Sequence, residues 1–227
     1  MSISELFASG GPAMVPLLIL SFLALSTIIE RAWFWSKILT HEREIAGRVI
    51  EAARRDWDAA TEIARKSSNQ PIGRFLYSAL GLEDPAPEVF QLALQATADE
   101  ELAQMRRGDK VLESTIALAP LLGLLGTVLG LIRSLKDIRL GDIGTDATAG
   151  VTLGISEALI STATGLIVAI TALAFYRLFQ SFVASQAKLF RQSGNELELL
   201  YRHGASHRSK PIVAPKPEPS SSADAEG

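Results

Sequence analysis

Residues 147–176 read ATAGVTLGISEALISTATGLIVAITALAFY, and this stretch decides the fold. It contains one charged side chain, Glu157. Because about 20 apolar residues of helix cross a hydrocarbon core of about 30 Å, the stretch predicts a membrane-spanning helix. The whole stretch would form a helix about 45 Å long, which is more than the membrane requires. Glu157 is therefore expected inside the membrane or at its interface, depending on where the helix begins.

Two further uncharged blocks predict two more spans. The first block covers residues 11–29 and ends at Glu30 and Arg31, which aromatic residues follow, as is common at a membrane interface. An ion pair between Glu30 and Arg31 is the expected arrangement there. A cleaved signal peptide fits this block poorly, because no basic residue precedes it. The second block covers residues 114–132 and ends at Arg133.

The segments outside these blocks carry the charges and are expected in water. After the first block, apolar residues recur at helical spacing and predict one amphipathic helix that is broken at Pro71. The recurring residues are Ile45, Val49, Ala53, Trp57, Ala60 and Ala64. From Pro87 onward, one helix is predicted to continue into the second block, because no proline interrupts it before Pro120.

The distribution of basic residues predicts the orientation. Twelve Lys and Arg residues lie within 31–110, three within 133–139 and seven within 177–227. The positive-inside rule therefore places the long segment and the tail in the cytoplasm. The predicted regions are an outward-facing N-terminus (1–10), a first span (11–36), a cytoplasmic helical region (37–110), a second span (111–134), an outward-facing loop (135–147), a third span (148–177), a cytoplasmic helix (178–205) and a disordered tail (206–227).

The predicted fold class is an all-α integral membrane protein with three transmembrane helices and long helices that extend into the cytoplasm. The chain has no cysteine, and its three histidines lie outside the apolar blocks, so neither a thiol nucleophile nor a metal centre is expected. A net charge of −3 without a basic stripe argues against binding to nucleic acid. No nucleophile with a neighbouring base is evident, so we do not expect an enzyme.

Glu157 is the main functional signal. A charged side chain in a span costs about 2.5–3.5 kcal/mol on insertion scales and therefore usually faces a cavity or a partner. Desolvation favours its neutral form, which would allow it to carry a proton. Ser161 and Thr164 lie on the same helical face and could line a wet path. Two alternatives remain open: Glu157 is solvated near the outer surface, or the hydroxyls only pack or bond to their own backbone.

Small residues in the second and third blocks predict close contact between helices, because helices in lipid approach where side chains are small. These residues are Gly123, Gly126, Gly130 and Gly165. Thr127 is a hydroxyl among these glycines and could meet Glu157 across a helix pair.

Residues 119–132 (APLLGLLGTVLGLI) resemble the second-span signature of the MotA/TolQ/ExbB proton-channel family. Residues 154–169 (GISEALISTATGLIVA) resemble the third-span signature of its ExbB and TolQ branch. The Glu-Arg pair at the end of the first block also fits, and the resemblance covers residues 15–202. Three spans, not four, favour this branch over MotA.

The resemblance implies a pentamer in the inner membrane around two copies of a single-span partner, ExbD or TolR, which supplies an essential aspartate. The proton-motive force is the implied energy source, no cofactor is expected, and force passes through TonB or TolA to the outer membrane. The implied pore positions are Glu157, Thr127 and Thr162. Helical geometry alone places Thr162 away from the face of Glu157, but a pore between five helices exposes a broad arc.

The expected function is that of an ExbB-like motor subunit for TonB-dependent transport. A TolQ-like subunit for envelope integrity stays open, since the sequence is short at its N-terminus relative to ExbB forms with a long one. A non-conducting membrane scaffold is the alternative from another class, and it would have no use for Glu157.

Overall fold

The computed structural model of the protein describes residues 11–39, 41–137 and 145–208, and every regular element in those ranges is an α-helix. The helices are α1 (Met14–Ile38), α2 (Glu42–Ala53), α3 (Trp57–Lys66), α4 (Pro71–Leu80), α5 (Pro87–Met105), α6 (Asp109–Asp137) and α7 (Thr145–Arg208). The all-α prediction is thereby confirmed. The predicted N-terminus (1–10), most of the outward loop and most of the disordered tail lie outside the described residues.

Three helices, α1, α6 and α7, are long and apolar enough to cross a membrane. Helices α6 and α7 are antiparallel, because Ala119 lies against Gly165 while Gly130 lies against Gly154. Helix α1 packs against both of them. Only 28% of the apolar window in each of the three helices is buried within the chain. Their outer faces are therefore left to lipid or to other chains.

Helix α7 continues without interruption for 64 residues. At about 1.5 Å per residue it is about 96 Å long, so it extends far beyond a hydrocarbon core of about 30 Å. The predicted third span and the predicted cytoplasmic helix are thus two parts of one continuous helix. Its C-terminal half is the surface on which the helices between α1 and α6 pack.

The prediction of one amphipathic helix through Ile45 and Ala64 was wrong. Helix α2 ends at Ala53, and α3 begins at Trp57. Asp56 forms the N-cap of α3, because its Oδ1 accepts hydrogen bonds from the backbone N–H of Asp58 (2.9 Å) and of Ala59 (3.2 Å). The apolar spacing stays in phase across this break, which is why periodicity alone missed it.

The prediction of one helix from Pro87 into the second block was also wrong. Helix α5 ends at Met105, and α6 begins at Asp109. Gly108 between them has a φ of +87°, a conformation that favours glycine. The two expected proline positions were confirmed, since Pro71 and Pro87 occupy the first turns of α4 and α5.

Aromatic side chains attach α4 and α5 to the C-terminal half of α7. The ring of Phe75 stacks on Phe190 with centroids 4.8 Å apart, and the ring of Phe90 stacks on Tyr201 at 4.4 Å. The Tyr201 hydroxyl also donates a hydrogen bond to the carbonyl of Pro85 (2.5 Å). Stacked rings of this kind contribute beyond the area that they bury. The helices of the predicted cytoplasmic region therefore share one apolar core, which continues to Ala24 and Ile28 of α1 and to Ala172 of α7.

A buried polar cluster fixes the start of α4 in this region. The carboxylate of Glu42 accepts a hydrogen bond from the backbone N–H of Ile72 (3.1 Å) and so caps the N-terminus of α4 from another helix. Arg74 forms a bidentate ion pair with Glu101 at 2.5 and 2.7 Å. Burial raises the pKa of Glu42 to about 7, against the lowering effects of the Ile72 hydrogen bond and the Arg74 charge. The nearby Glu101 charge raises it further.

Candidate proton site

Glu157 lies on α7 at the level of Gly130, which contacts the neighbouring residues Gly154 and Ala158. Arg133, the charge that ends the second apolar block, is about one turn further along α6. The Glu157 side chain is 14% exposed. The Glu157 carboxylate is therefore largely enclosed by the chain.

Arg133 is the ion-pair partner of Glu157. Its Nη1 donates hydrogen bonds to Oε1 at 3.0 Å and to Oε2 at 3.2 Å. The Arg133 side chain is 54% exposed, so the pair is buried on the carboxylate side and open on the guanidinium side. In the sequence, Arg133 marks only the end of an uncharged block. One feature of the sequence could have indicated this pair. The link between the second and third blocks is short, and residues near the linked ends of two antiparallel helices lie at the same level.

Gly11 closes the other side of the Glu157 carboxyl. A Cβ atom on Gly11 would lie 1.5 Å from Oε1 and 2.5 Å from Cδ of Glu157. Gly11 also has a φ of +68°, which disfavours other residues. The carboxyl group therefore occupies space that any side chain at position 11 would fill. The site is formed by α6, α7 and the segment that leads into α1.

Ser161 and Thr162 meet at the same backbone carbonyl of α6. Both hydroxyls donate to the carbonyl of Gly123, at 3.0 Å from Ser161 and 3.2 Å from Thr162. Ser161 is fully buried against Gly126, whereas Thr162 is partly buried. These two hydroxyls act as a contact between helices within the chain.

Thr164 and Thr127 bond to their own helices. The Thr164 hydroxyl donates to the carbonyl of Ile160 (2.8 Å), and Thr127 donates to that of Leu124 (2.6 Å). Thr164 also lines a groove of about 230 Å³ against apolar residues of α1. The structure bonds Glu157 to Arg133 and not to Thr127. Both Ser161 and Thr164 are therefore bonded within the chain, and the path expected along Glu157, Ser161 and Thr164 stays a prediction.

The four glycines of the predicted packing face lie between α6 and α7. A Cβ atom on Gly126 would lie 1.7 Å from the hydroxyl oxygen of Ser161, and one on Gly165 would lie 2.5 Å from the carbonyl oxygen of Ala119. Gly123 and Gly130 contact the α7 backbone in the same way. Within one chain, α6 and α7 are thus close enough to exclude side chains at these points.

The expected ion pair between Glu30 and Arg31 was wrong. Arg31 is 4% exposed and donates from Nη2 to the carbonyl of Met105 at the end of α5. Its guanidinium carbon lies 4.5 Å from the centroid of the Phe34 ring, within cation–π range. The break between α5 and α6 brings that carbonyl to α1, so Arg31 turns inward. Glu30 remains exposed.

A second polar group, at the start of α6 and the middle of α7, was missed. The Tyr176 hydroxyl donates to Glu113 (2.6 Å), and the Gln180 amide donates to Asp109 (2.7 Å). Helical spacing could have shown it, because Glu113 lies fourteen residues before Thr127 and falls near the same face. These bonds join the two helices where the charge-rich region begins.

Together these features define a helical membrane protein that holds an ionisable pair between its longest helices. Residues 67–192 match the MotA/TolQ/ExbB proton channel family. The chain is also 52% identical to the putative biopolymer transport protein ExbB-like 1 of Synechocystis sp. over 197 residues. These residues cover 86% of this chain and 78% of that relative. The chain belongs to the MotA/TolQ/ExbB proton channel family.

Two further relatives support this assignment. The putative biopolymer transport protein ExbB-like 3 of Synechocystis sp. is 40% identical over 194 residues, which cover 86% of this chain and 92% of that protein. The biopolymer transport protein ExbB of Xanthomonas campestris pv. campestris is 26% identical over 229 residues, which cover 91% of this chain and 89% of that protein.

Proposed function

We propose that this chain is an ExbB-like subunit of an inner-membrane, proton-driven motor that energises TonB-dependent transport across the outer membrane. The observation that carries the proposal is Glu157, a carboxylate 14% exposed in an apolar helix and paired with Arg133. Ionisable residues in such helices usually serve ion or proton pathways, because their burial is costly. Membership of a proton channel family supports the same role.

In this proposal, copies of the chain assemble into a pentamer around a single-span ExbD-like partner. Glu157 accepts a proton from the outer side and passes it inward as the partner's aspartate moves past. Thr127 and Thr162 lie near the path between subunits and hold water. The proton-motive force is the only energy source, no cofactor takes part, and a TonB-like protein receives the force.

Two alternatives are distinguished by their partners and by Glu157. A TolQ-like subunit would use the same chemistry with a TolR-like and a TolA-like protein, and the family itself includes TolQ. A non-conducting scaffold would require no titrating group at position 157. The largely buried carboxylate of Glu157 favours a conducting subunit, because a scaffold gains little from a charge that must be desolvated.

The test is the substitution Glu157→Gln, which keeps the size of the side chain and removes its titration. We expect normal insertion and oligomerisation, but loss of energised siderophore-type uptake in cells that contain the partner. Glu157→Asp should retain part of the activity, and Thr127→Val should reduce it less than Glu157→Gln does. The control is Glu44→Gln, which neutralises an exposed carboxylate on α2. Full uptake by Glu157→Gln would reject the proton-carrier role and favour a scaffold.

A further inference from the structure

A groove of about 460 Å³ lies in the predicted cytoplasmic region, far along the sequence from the proton site. The break between α2 and α3, the link between α4 and α5 and the C-terminal part of α7 form its walls. Its apolar lining includes Trp57, Leu80 and Tyr201, and the ring centroids of Trp57 and Tyr201 are 5.6 Å apart. The groove therefore presents two aromatic rings beside aliphatic side chains.

The rim of the groove is acidic. Four of the lining residues are exposed carboxylates, and none of the described residues that line the groove is basic. The carboxylates are those of Asp56, Asp58, Glu83 and Asp84. A cleft that is lined by charges of one sign attracts a ligand of the opposite sign. The groove is therefore suited to an occupant that is both apolar and basic.

A segment of the same chain has this chemistry. Residues 210–217 read KPIVAPKP, with two lysines, no acidic residue and the aliphatic pair Ile212 and Val213. Three of these eight residues are prolines. Proline-rich segments bind well in aromatic-lined grooves, because their extended backbone has little conformational freedom to lose.

The segment is also long enough to reach the groove. The structure describes α7 up to Arg208, which is seven residues or about 10 Å beyond Tyr201 along the helix. The five residues from Arg208 to Val213 span up to about 17 Å when extended. A chain that turns back after Arg208 can therefore bring Val213 to the level of Tyr201.

We propose that residues 210–217 bind in this groove of their own chain, with Ile212 and Val213 against the rings of Trp57 and Tyr201 and the lysines at the acidic rim. This inference does not depend on the proposed function. Apolar contact with the rings supplies most of the binding, since exposed ion pairs contribute little and are screened by salt. The charges select a basic segment. The predicted disordered tail then excludes the bound residues.

Disulfide formation between pairs of introduced cysteines tests the proposal, because the chain contains no cysteine. Leu82→Cys marks the groove, which Leu82 lines, and Val213→Cys marks the bound segment. The full-length chain is purified in detergent, oxidised with copper phenanthroline and followed over time by mass spectrometry. We expect this pair to form a disulfide within one chain, several-fold faster than the control pair.

The control pair is Leu199→Cys with Val213→Cys. Leu199 is two residues from Tyr201 and therefore lies on nearly the opposite side of α7. It is also more exposed than Leu82, at 59% against 37%. A segment without a preferred site would reach Leu199 at least as readily as Leu82, so equal rates for the two pairs would overturn the proposal.

Charge reversal tests the role of the acidic rim. In the Leu82→Cys/Val213→Cys chain, Lys210→Glu with Lys216→Glu should slow the disulfide several-fold. Lys66→Glu with Lys188→Glu reverses two exposed lysines elsewhere and should leave the rate unchanged. Equal slowing by both double reversals would contradict a specific contact between the segment and the rim.

Two further outcomes would also overturn binding within one chain. A disulfide that joins two chains would assign the groove to the segment of a second copy. No disulfide at Leu82→Cys, in a chain that unfolds at the same temperature as the unmodified one, would leave the groove to a separate basic peptide.

Discussion

Glu157 and Glu42 are both shielded from water, but their surroundings differ in charge. Glu157 has a guanidinium on its open side, whereas Glu42 has a backbone N–H at one oxygen and, among the residues that the structure describes, no hydrogen-bond partner at the other. Arg74, whose charge acts on Glu42, is engaged by Glu101. At the residue scale, therefore, Glu157 has an ion-pair partner, whereas burial raises the pKa of Glu42.

Glu42 should make the stability of the cytoplasmic helices depend on pH. Its pKa is raised to about 7 in the folded chain from 4.5, so the folded state binds the extra proton between these values. Stability is therefore expected to fall as pH rises through this window. Glu42→Gln is neutral at every pH and should be more stable than the unmodified chain at pH 8, by about 3 kcal/mol at most. Thermal unfolding in detergent at pH 5 and pH 8 measures this difference.

The control for Glu42 is Glu44→Gln on the same helix, because Glu44 is exposed and lies near Arg48 on the surface. Its unfolding temperature should differ from that of the unmodified chain by the same small amount at both pH values. If the difference in unfolding temperature between Glu42→Gln and the unmodified chain does not grow from pH 5 to pH 8, Glu42 is not protonated in the folded chain.

At the scale of elements, the contact between α6 and α7 depends on residues without side-chain bulk. Gly126 faces the buried hydroxyl of Ser161, and Ala13 lies beside the same point. Three helices therefore meet where glycine leaves room. Because apolar side chains gain little by leaving lipid for another helix, close packing supplies much of the association.

Gly126→Leu should separate α6 from α7 and lower the thermal stability of the purified protein. The first added carbon would already lie 1.7 Å from the Ser161 hydroxyl oxygen and 2.5 Å from its Cβ, so the helices must move apart. Overpacking of this kind costs about 1–3 kcal/mol, and a leucine at a three-helix contact should reach the upper part of that range. Unfolding temperature in detergent gives the effect.

Gly47→Leu is the comparison for Gly126→Leu, because a Cβ on Gly47 meets nothing within 4 Å. Leucine has the higher helix propensity, so this variant should match or exceed the unmodified chain in stability. Equal unfolding temperatures for Gly126→Leu and the unmodified chain would mean that α6 and α7 do not touch at this residue.

The long helices could be predicted from the sequence, because uncharged apolar runs of that length are typical of membrane-spanning helices. The breaks at Asp56 and Gly108 could not be predicted from periodicity, since each depends on one capping or turn residue within a continuous pattern. The pairing of Glu157 with Arg133 needed the register between two helices, which no single helical wheel contains. Arg31 was misjudged for a related reason: its partner is a backbone carbonyl 74 residues away.

At the scale of the whole molecule, the two ends of the helix bundle differ in charge. The ion pair of Glu157 and Arg133 lies near the end with few basic residues, and the segment 31–110 with its twelve Lys and Arg packs at the other end. An inner-membrane chain with this distribution should keep the basic end in the cytoplasm. The candidate proton site then lies near the outer surface, where protons enter under a normal proton-motive force.

Single cysteines can test this orientation, because the chain contains none. Leu135→Cys marks the outer end of α6, where the native side chain is 70% exposed, and Arg48→Cys marks an exposed position on α2. A membrane-impermeant maleimide should label Leu135→Cys in intact spheroplasts and Arg48→Cys only after lysis. Labelling of Arg48→Cys before lysis would reverse the orientation, place Glu157 near the cytoplasm and require the proton to enter from the basic end.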